Sequence, residues 1–483
     1  MNLKQEAAKG IVWKFIENGG TQAIQFISGI YIARILSPDD YGLVGMMAIF
    51  LGISQSFIDS GFRATLIQKG KEITPDHYNV VFLFNLVISC IFYLLIFVGA
   101  PYIADFYHEP QLILVARIFG LNLIFVSLGI IHQTIFEKKI KFRTLSKIRL
   151  VAVSLSALTG IIAAKMGFGV WALIVMSLLE TAITTIILWI INRWYPSFRF
   201  NFNVFKELYS KSIQIFFAGI LTTISDNLYT MMIGKYFSTA DVGFFSQGKK
   251  LQRRINVLIN NSFQSVMYPV QSLMKDDIPR LKNTVRRNVN LTAFFTFPCL
   301  IGLIAIAKPF VLIALTEKWA PSVYFIQVLS VAGILSMLKS PISSYIKPMG
   351  KFNLVLVFSV LRNVFFIAFL FIGILFKVQL KVLVLGIIIS EITGFLWILF
   401  YAKRIINYKL KEIIEDFISP LIFSIVMGIV IFFIGEMFAV TLMVLIMQVL
   451  IGCLIYLFLT YIFNRLLYKE MKEILNKMIK IKS

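Results

Sequence analysis

The chain is 483 residues long, 58% of them hydrophobic and 15% charged, where a soluble domain carries about 25% charged residues. That balance excludes a water-soluble globular fold, and too few residues lie outside apolar runs to build a separate extramembrane domain. The excess of 47 Lys and Arg over 24 Asp and Glu, a net charge of +23, would in a soluble chain point to nucleic acid. In a membrane protein, basic cytoplasmic loops account for most of it, so no nucleic-acid partner is expected.

The first ten residues are polar, and the apolar stretch after them runs past twenty residues with no small-residue cleavage site before Ser37 and Pro38. It reads as a retained first helix, not a signal peptide. Further apolar runs follow with short polar breaks. The spans begin near residues 11, 42, 78, 111, 149, 170, 211, 242, 291, 321, 354, 382, 413 and 440. A bilayer core about 30 Å thick takes about 20 apolar residues per helix, so these runs predict an all-α integral membrane fold of about 14 transmembrane helices. Cys90, Cys299 and Cys453 sit singly inside the runs, without metal or redox spacing, and read as buried packing residues. Neither a metal nor an organic cofactor is expected.

Loop charge orients the chain. With the N-terminus cytoplasmic, the segments 1–10, 62–77, 137–149, 192–211, 269–290, 346–353, 402–412 and 464–483 hold 32 Lys and Arg, against 7 in the outer loops. Omitting span eight (242–268), which carries four basic residues, would reverse every later loop and destroy this asymmetry. In the last twenty residues, Lys469, Lys472, Lys477 and Lys480 alternate with Leu467, Met471, Ile474 and Met478, the pattern of a basic amphipathic helix on the inner leaflet.

An internal repeat is present. Ile32, Ala33, Arg34, Ser37, Asp40 and Gly42 recur as Ile233, Gly234, Lys235, Ser238, Asp241 and Gly243, and Lys141–Phe142 recurs as Lys351–Phe352. Spans one and seven both start inside, so the halves are parallel repeats. The predicted organisation is two pseudo-symmetric six-helix lobes, 1–205 and 206–405, then helices 13 and 14 over 406–463 and the cytoplasmic tail 464–483.

Eight basic residues remain within spans: Lys14, Arg117, Lys249, Lys250, Arg253, Arg254, Lys339 and Arg362. A charge near the bilayer centre costs about 2.5 to 3.5 kcal/mol on insertion scales and therefore faces a bundle interior or a wet cavity. On span eight, Lys249, Arg253, Asn256, Asn260 and Gln264 fall within an arc of about 80° at 100° per residue, and Lys250 and Arg254 widen it. On span one, Lys14, Glu17, Asn18, Thr21, Gln25 and Ser28 fall within about 100°. These faces are placed to line a central cavity, although polar residues also serve as glue between membrane helices. Asp59 and Arg63 are spaced as an i, i+4 ion pair. Glu180, Asp226, Glu391 and Glu436 are acids within spans, and Asp226 and Glu17 are the candidates for coupling to H⁺ or Na⁺. Arg and Lys in such a cavity favour an anion, Arg forks suit phosphate oxygens, and the neighbouring amides and hydroxyls suit sugar.

The N-terminal pattern Gly10, Trp13, Gln22, Phe26, Ala33, Arg34, Leu36, Pro38, Tyr41 and Gly42 continues with Asp59, Gly61, Leu66, Ile67 and Gln68, then Ala104, Phe106, Tyr107 and Pro110. It resembles the polysaccharide flippases of the multidrug, oligosaccharidyl-lipid and polysaccharide exporter superfamily, in particular O-antigen, capsule and teichuronic acid exporters. The resemblance implies a bacterial cytoplasmic-membrane transporter with two six-helix lobes, a trailing helix pair, a cationic cavity and alternating access. Its cargo would be a lipid-linked anionic oligosaccharide, with other polysaccharide-assembly membrane proteins as partners. It also implies that Lys14, Arg63 and Lys249 or Arg253 hold the lipid diphosphate. Residues near Arg34 and Pro38 read as turn and interface determinants. A multidrug cation antiporter of the same fold would need a dominant acidic pair, and a glycosyltransferase or polymerase would need catalytic carboxylates or a large outer loop. Neither pattern is present.

The loop-charge reading predicts that a reporter fused at either terminus is cytoplasmic: a green fluorescent fusion after Ser483 fluoresces, and an alkaline phosphatase fusion at the same site is inactive.

Overall fold

A computed structural model describes residues 3–69, 73–274, 277–346, 349 and 352–465. The tail 466–483, Lys351 and the side chains of Lys14, Gln68, Gln264 and Arg362 lie outside the described residues. The described chain is helical throughout, with no strand among the described residues. In order come α1 (Leu3–Ile35), α2 (Pro38–Asp59), α3 (Phe62–Gln68), α4 (Pro75–Tyr107), α5 (Leu112–Phe119), α6 (Leu121–Lys138), α7 (Phe142–Lys165) and α8 (Val170–Asn192). Then follow α9 (Phe202–Tyr236), α10 (Thr239–Leu273), α11 (Ile278–Phe310), α12 (Ser322–Ser343), α13 (Phe352–Leu375), α14 (Leu380–Ile406), α15 (Leu410–Met437) and α16 (Leu442–Phe463).

Among the described residues, ten helical segments are long and apolar enough to cross a membrane, with α2–α3 and α5–α6 each counted as one span. The other long helices are α1, α9, α10 and α13. All together they are compatible with the fourteen-span layout. Three of these four, α1, α9 and α10, carry the polar stripes and Asp226, which lower their hydropathy. Large apolar side chains such as Leu94, Leu95, Val98 and Phe433 are exposed on the outer faces of the bundle, as expected where lipid is the solvent.

The chain forms two compact units, Met1–Ser246 and Gln247–Ser483. In the first, α1 packs on α7, α7 and α6 on α8, α4 on α6, and α9 on α2, α3 and α4. A core of Phe62, Leu66, Val81, Phe82, Ile131 and Leu208 joins α3, α4, α6 and the start of α9. In the second, α11 packs against α12 and α15, and α14 against α12 and α13. Its main core runs from Leu281 to Phe297 on α11, through Leu338 and Ile342, to Ile398, Ala402 and Tyr408. The trailing pair is built into this unit: the Tyr456 hydroxyl donates to Phe294 O at 2.9 Å, and Gln448 Nε2 to Ile431 O at 2.6 Å.

The repeat seen in the sequence is a pair of capping boxes. Ser37 N and Oγ donate to Asp40 Oδ2 at 2.9 and 2.8 Å, and Asp40 N donates back to Ser37 Oγ at 3.2 Å. Ser238 and Asp241 repeat it at 3.2, 2.7 and 3.1 Å. Each box satisfies orphan amides at a helix start, of α2 and α10 respectively. The two starts cross in backbone contact within the first unit. A Cβ on Gly42 would lie 2.0 Å from Thr239 O, and one on Gly243 would lie 2.0 Å from Pro38 O. The other repeated pair also marks helix starts, since α7 begins at Phe142 and α13 at Phe352.

Two expectations need correction. The cysteines are not buried: Cys90, Cys299 and Cys453 are all exposed, because an apolar run in a bilayer has a lipid-facing side as well as a packed one. Asp59 and Arg63 do not belong to one continuous helix. Ser60 (φ 43°) and Gly61 (φ 73°) are left-handed and separate α2 from α3, so the i, i+4 spacing does not hold.

The reciprocal crossing predicts that Gly243→Val destabilises the purified protein by about 1–3 kcal/mol or more through overpacking. Gly99→Ala, where nothing lies within 4 Å of the added carbon, should shift stability by no more than about 1 kcal/mol. Thermal unfolding in detergent distinguishes them.

Candidate functional site

The densest group of sequence-predicted site residues lies on α10, an unbroken helix of 35 residues. Lys249, Lys250, Arg253 and Arg254 occupy two successive turns of it. Lys250 and Arg253 are exposed, while Lys249 and Arg254 are half-buried. At 100° per residue the four bases cover about 140° of the helix surface. The amides on that stripe bond to α12 instead. Asn256 Nδ2 donates to Gly333 O at 3.5 Å, and Asn260 Oδ1 accepts from Ser340 Oγ at 2.6 Å. Gly333 leaves room for this, since a Cβ there would lie 2.3 Å from Gln252 Nε2. Gln252, Asn256 and Asn260 thus bind α10 to α12, next to the basic face.

On α1, Glu17 is buried, 1% exposed. It accepts from Ser146 Oγ at 3.0 Å and pairs with Arg149 Nη1 at 3.2 Å, tying α1 to α7. Gln25 Nε2 donates to Glu180 Oε2 on α8 at 3.5 Å. Thr21 and Ser28 hydroxyls donate back to their own helix, at Glu17 O and Ile24 O. Asn18 is exposed. Much of the α1 stripe is therefore turned to its own unit.

Arg63 sits on α3 and gives its fork to Glu137 at the end of α6, with Nε 3.0 Å from Oε2 and Nη2 on Oε1. Gln133 Nε2 adds a bond to the same carboxylate at 3.3 Å. This pairing replaces the expected one with Asp59, whose side chain is exposed. Nearby, Lys69 Nζ lies 2.8 Å from Glu207 on α9 and 2.5 Å from His77 Nε2. Asp226 is exposed on α9, and along its face Thr222 is exposed while Thr230 is buried.

Lys339 and Glu391, read separately in the sequence as a base and an acid within spans, form a buried ion pair between α12 and α14. Arg117 lies on α5, where its guanidinium covers the Phe97 ring at 4.7 Å and donates to Phe97 O. Glu436 is exposed near the end of α15. Sequence reasoning missed Arg149, Glu137 and Glu207, and also the clamp of Lys282 and Arg286 on Glu412 and Asp416 that joins α11 to α15. Their only sequence signal was an unbalanced charge at a helix end. Among the described residues no group of three or more His, Cys, Asp or Glu is placed to hold a metal ion.

Long apolar helices, paired charges at helix joints and a basic face on one polar helix define a multi-pass membrane protein. Residues 31–324 match the family described as polysaccharide biosynthesis protein, and the chain belongs to that family. It is 24% identical to the teichuronic acid biosynthesis protein TuaB of Bacillus subtilis, over 95% of this chain and 96% of that one. It is 23% identical to the succinoglycan biosynthesis transport protein ExoT of Rhizobium meliloti, over 96% of this chain and 94% of that one. Its fold is that of the lipid II flippase MurJ in an inward closed conformation, with a TM-score of 0.75 at 16% identity, covering 94% of this chain and 99% of that one.

The pairing of Arg63 predicts a structural role testable apart from transport. Arg63→Ala and Glu137→Ala should each destabilise by about 1–2 kcal/mol, since the pair is partly solvated. The double variant should be no worse than either single one. A loss of transport in Arg63→Ala with an unchanged melting temperature would instead assign Arg63 to cargo.

Proposed function

We propose that this protein is a flippase that carries a lipid-diphosphate-linked oligosaccharide from the inner to the outer leaflet of the cytoplasmic membrane by alternating access, for assembly of a cell-surface polysaccharide. The observation that carries this reading is the basic face of α10: four cationic side chains on two turns of a helix in a membrane fold. Cations held there at the cost of insertion are suited to phosphate, which accepts charge-assisted, bidentate bonds from Arg. The family, and relatives named for teichuronic acid and succinoglycan biosynthesis, support a glycan cargo. The same fold in a lipid II flippase supports a lipid-linked one.

In this reading Lys249, Lys250, Arg253 and Arg254 on α10 hold the diphosphate, while Lys14 and Asn18 on α1 are separate candidates for cargo contact. Asn256 and Asn260 position α10 against α12, and Gln25 and Arg63 hold their own helices in register. No bond of the cargo is made or broken, and both termini lie in the cytoplasm. Coupling to H⁺ or Na⁺ falls first to Asp226, an acid exposed on α9. A multidrug cation antiporter is disfavoured, since a cationic drug would be repelled by the same face.

Deleting the gene should cause a lipid-linked glycan to accumulate on the cytoplasmic side, identified by mass spectrometry of extracted lipids. Lys249→Ala and Arg253→Ala should each lower transport by about tenfold or more, the worth of one charge-assisted bond, with membrane abundance unchanged. Asp226→Asn should remove the response to an imposed ion gradient. Absence of accumulation would overturn the flippase, and silent α10 variants would overturn the site.

A further inference from the structure

The connector between α8 and α9, residues 193–201, has no helix and carries aromatic and basic residues: Arg193, Trp194, Tyr195, Phe198, Arg199 and Phe200. It is held in place from one side. Asn79 on α4 donates from Nδ2 to Ser197 Oγ at 2.6 Å and accepts from Ser197 N at 3.0 Å. Trp194 packs among His132, Phe82 and Tyr78, with ring centroids 5.4, 5.8 and 6.4 Å away. At the far end the Asn201 side chain caps α9, accepting from Asn203 N and Val204 N.

The other side is open and strongly apolar. Phe198 is 80% exposed, Tyr195 71% and Phe202 68%, and Phe200 is also exposed. Arg193 is left-handed (φ 49°) and ends α8, and beyond it Trp194 and Pro196 are half-buried while Tyr195, like Arg193, is exposed. A segment without fixed structure would bury such rings on itself. Here the clamp by Asn79 and Trp194 keeps them out.

We infer that this connector is a built anchor for the anionic headgroup layer of the inner leaflet, with Tyr195, Phe198, Phe200 and Phe202 at acyl-headgroup depth and Arg193 and Arg199 on lipid phosphates. Three features select lipid as the occupant. The segment starts at the end of α8, a helix long and apolar enough to cross a bilayer, and therefore emerges at an interface. Aromatic rings with a polar neighbour concentrate at that depth. The connector holds two arginines and no acid between Arg193 and Phe202, which matches an anionic surface, where each cation gains about fivefold in binding. This anchor is separate from cargo recognition and does not depend on the flippase reading.

The test uses the full chain in nanodiscs with Cys90, Cys299 and Cys453 changed to Ser. A nitroxide is attached through Phe198→Cys and, in a second protein, through Tyr195→Cys. In discs of phosphatidylcholine with phosphatidylglycerol, both labels should be relaxed by oxygen in the bilayer and shielded from a water-soluble nickel chelate. The Arg193→Gln/Arg199→Gln variant should lose selectivity for phosphatidylglycerol over phosphatidylcholine among retained lipids, by about fivefold for each arginine. The inference is overturned if nickel reaches both labels as freely as one at the exposed Asp277. It is equally overturned if both reagents are excluded and the spectra show dipolar broadening between labels on two copies, which would make the face a protein interface.

Discussion

Ionised side chains that packing draws out of water must find a counter-ion, a hydrogen-bond network or residual water, and the helix joints of this protein follow from that requirement. Glu17 with Arg149 joins α1 to α7, Arg63 with Glu137 joins α3 to α6, and Lys339 with Glu391 joins α12 to α14. Removing one partner would strand the other, so each pair constrains the arrangement more strongly than its net contribution to stability would indicate. The same cost applies to the basic face of α10, where four cations sit on two turns.

A second constraint is the approach of two backbones. The boxes Ser37–Asp40 and Ser238–Asp241 end with a glycine two residues on, and each glycine lies where the other box presents a carbonyl. The repeated motif is thereby explained as packing. Its residues cap the two helices and let them cross.

Much of the fold was legible from local pattern. Apolar run lengths located the helices, and α10 is a helix despite its four bases. The Lys-Phe pairs and the Ser-x-x-Asp-x-Gly boxes marked helix starts that the structure shares. The candidate site was legible only in part. The helical wheel placed Asn256 and Asn260 with the bases, since they fall within the same arc, yet α12 takes up the amides. Asp59 and Arg63 satisfied a spacing rule that two left-handed residues annul.

Composition, run length and period settle that this chain is an all-helical, repeated, basic membrane protein, because each depends on residues within one helix and on the solvent around it. Which charges become joints depends on neighbours brought together from far apart. Arg63 meets Glu137 across 74 positions and Glu17 meets Arg149 across 132. No periodicity encodes those distances. They follow from which helices pack side by side, and that choice is made by the shapes and volumes of all the faces at once.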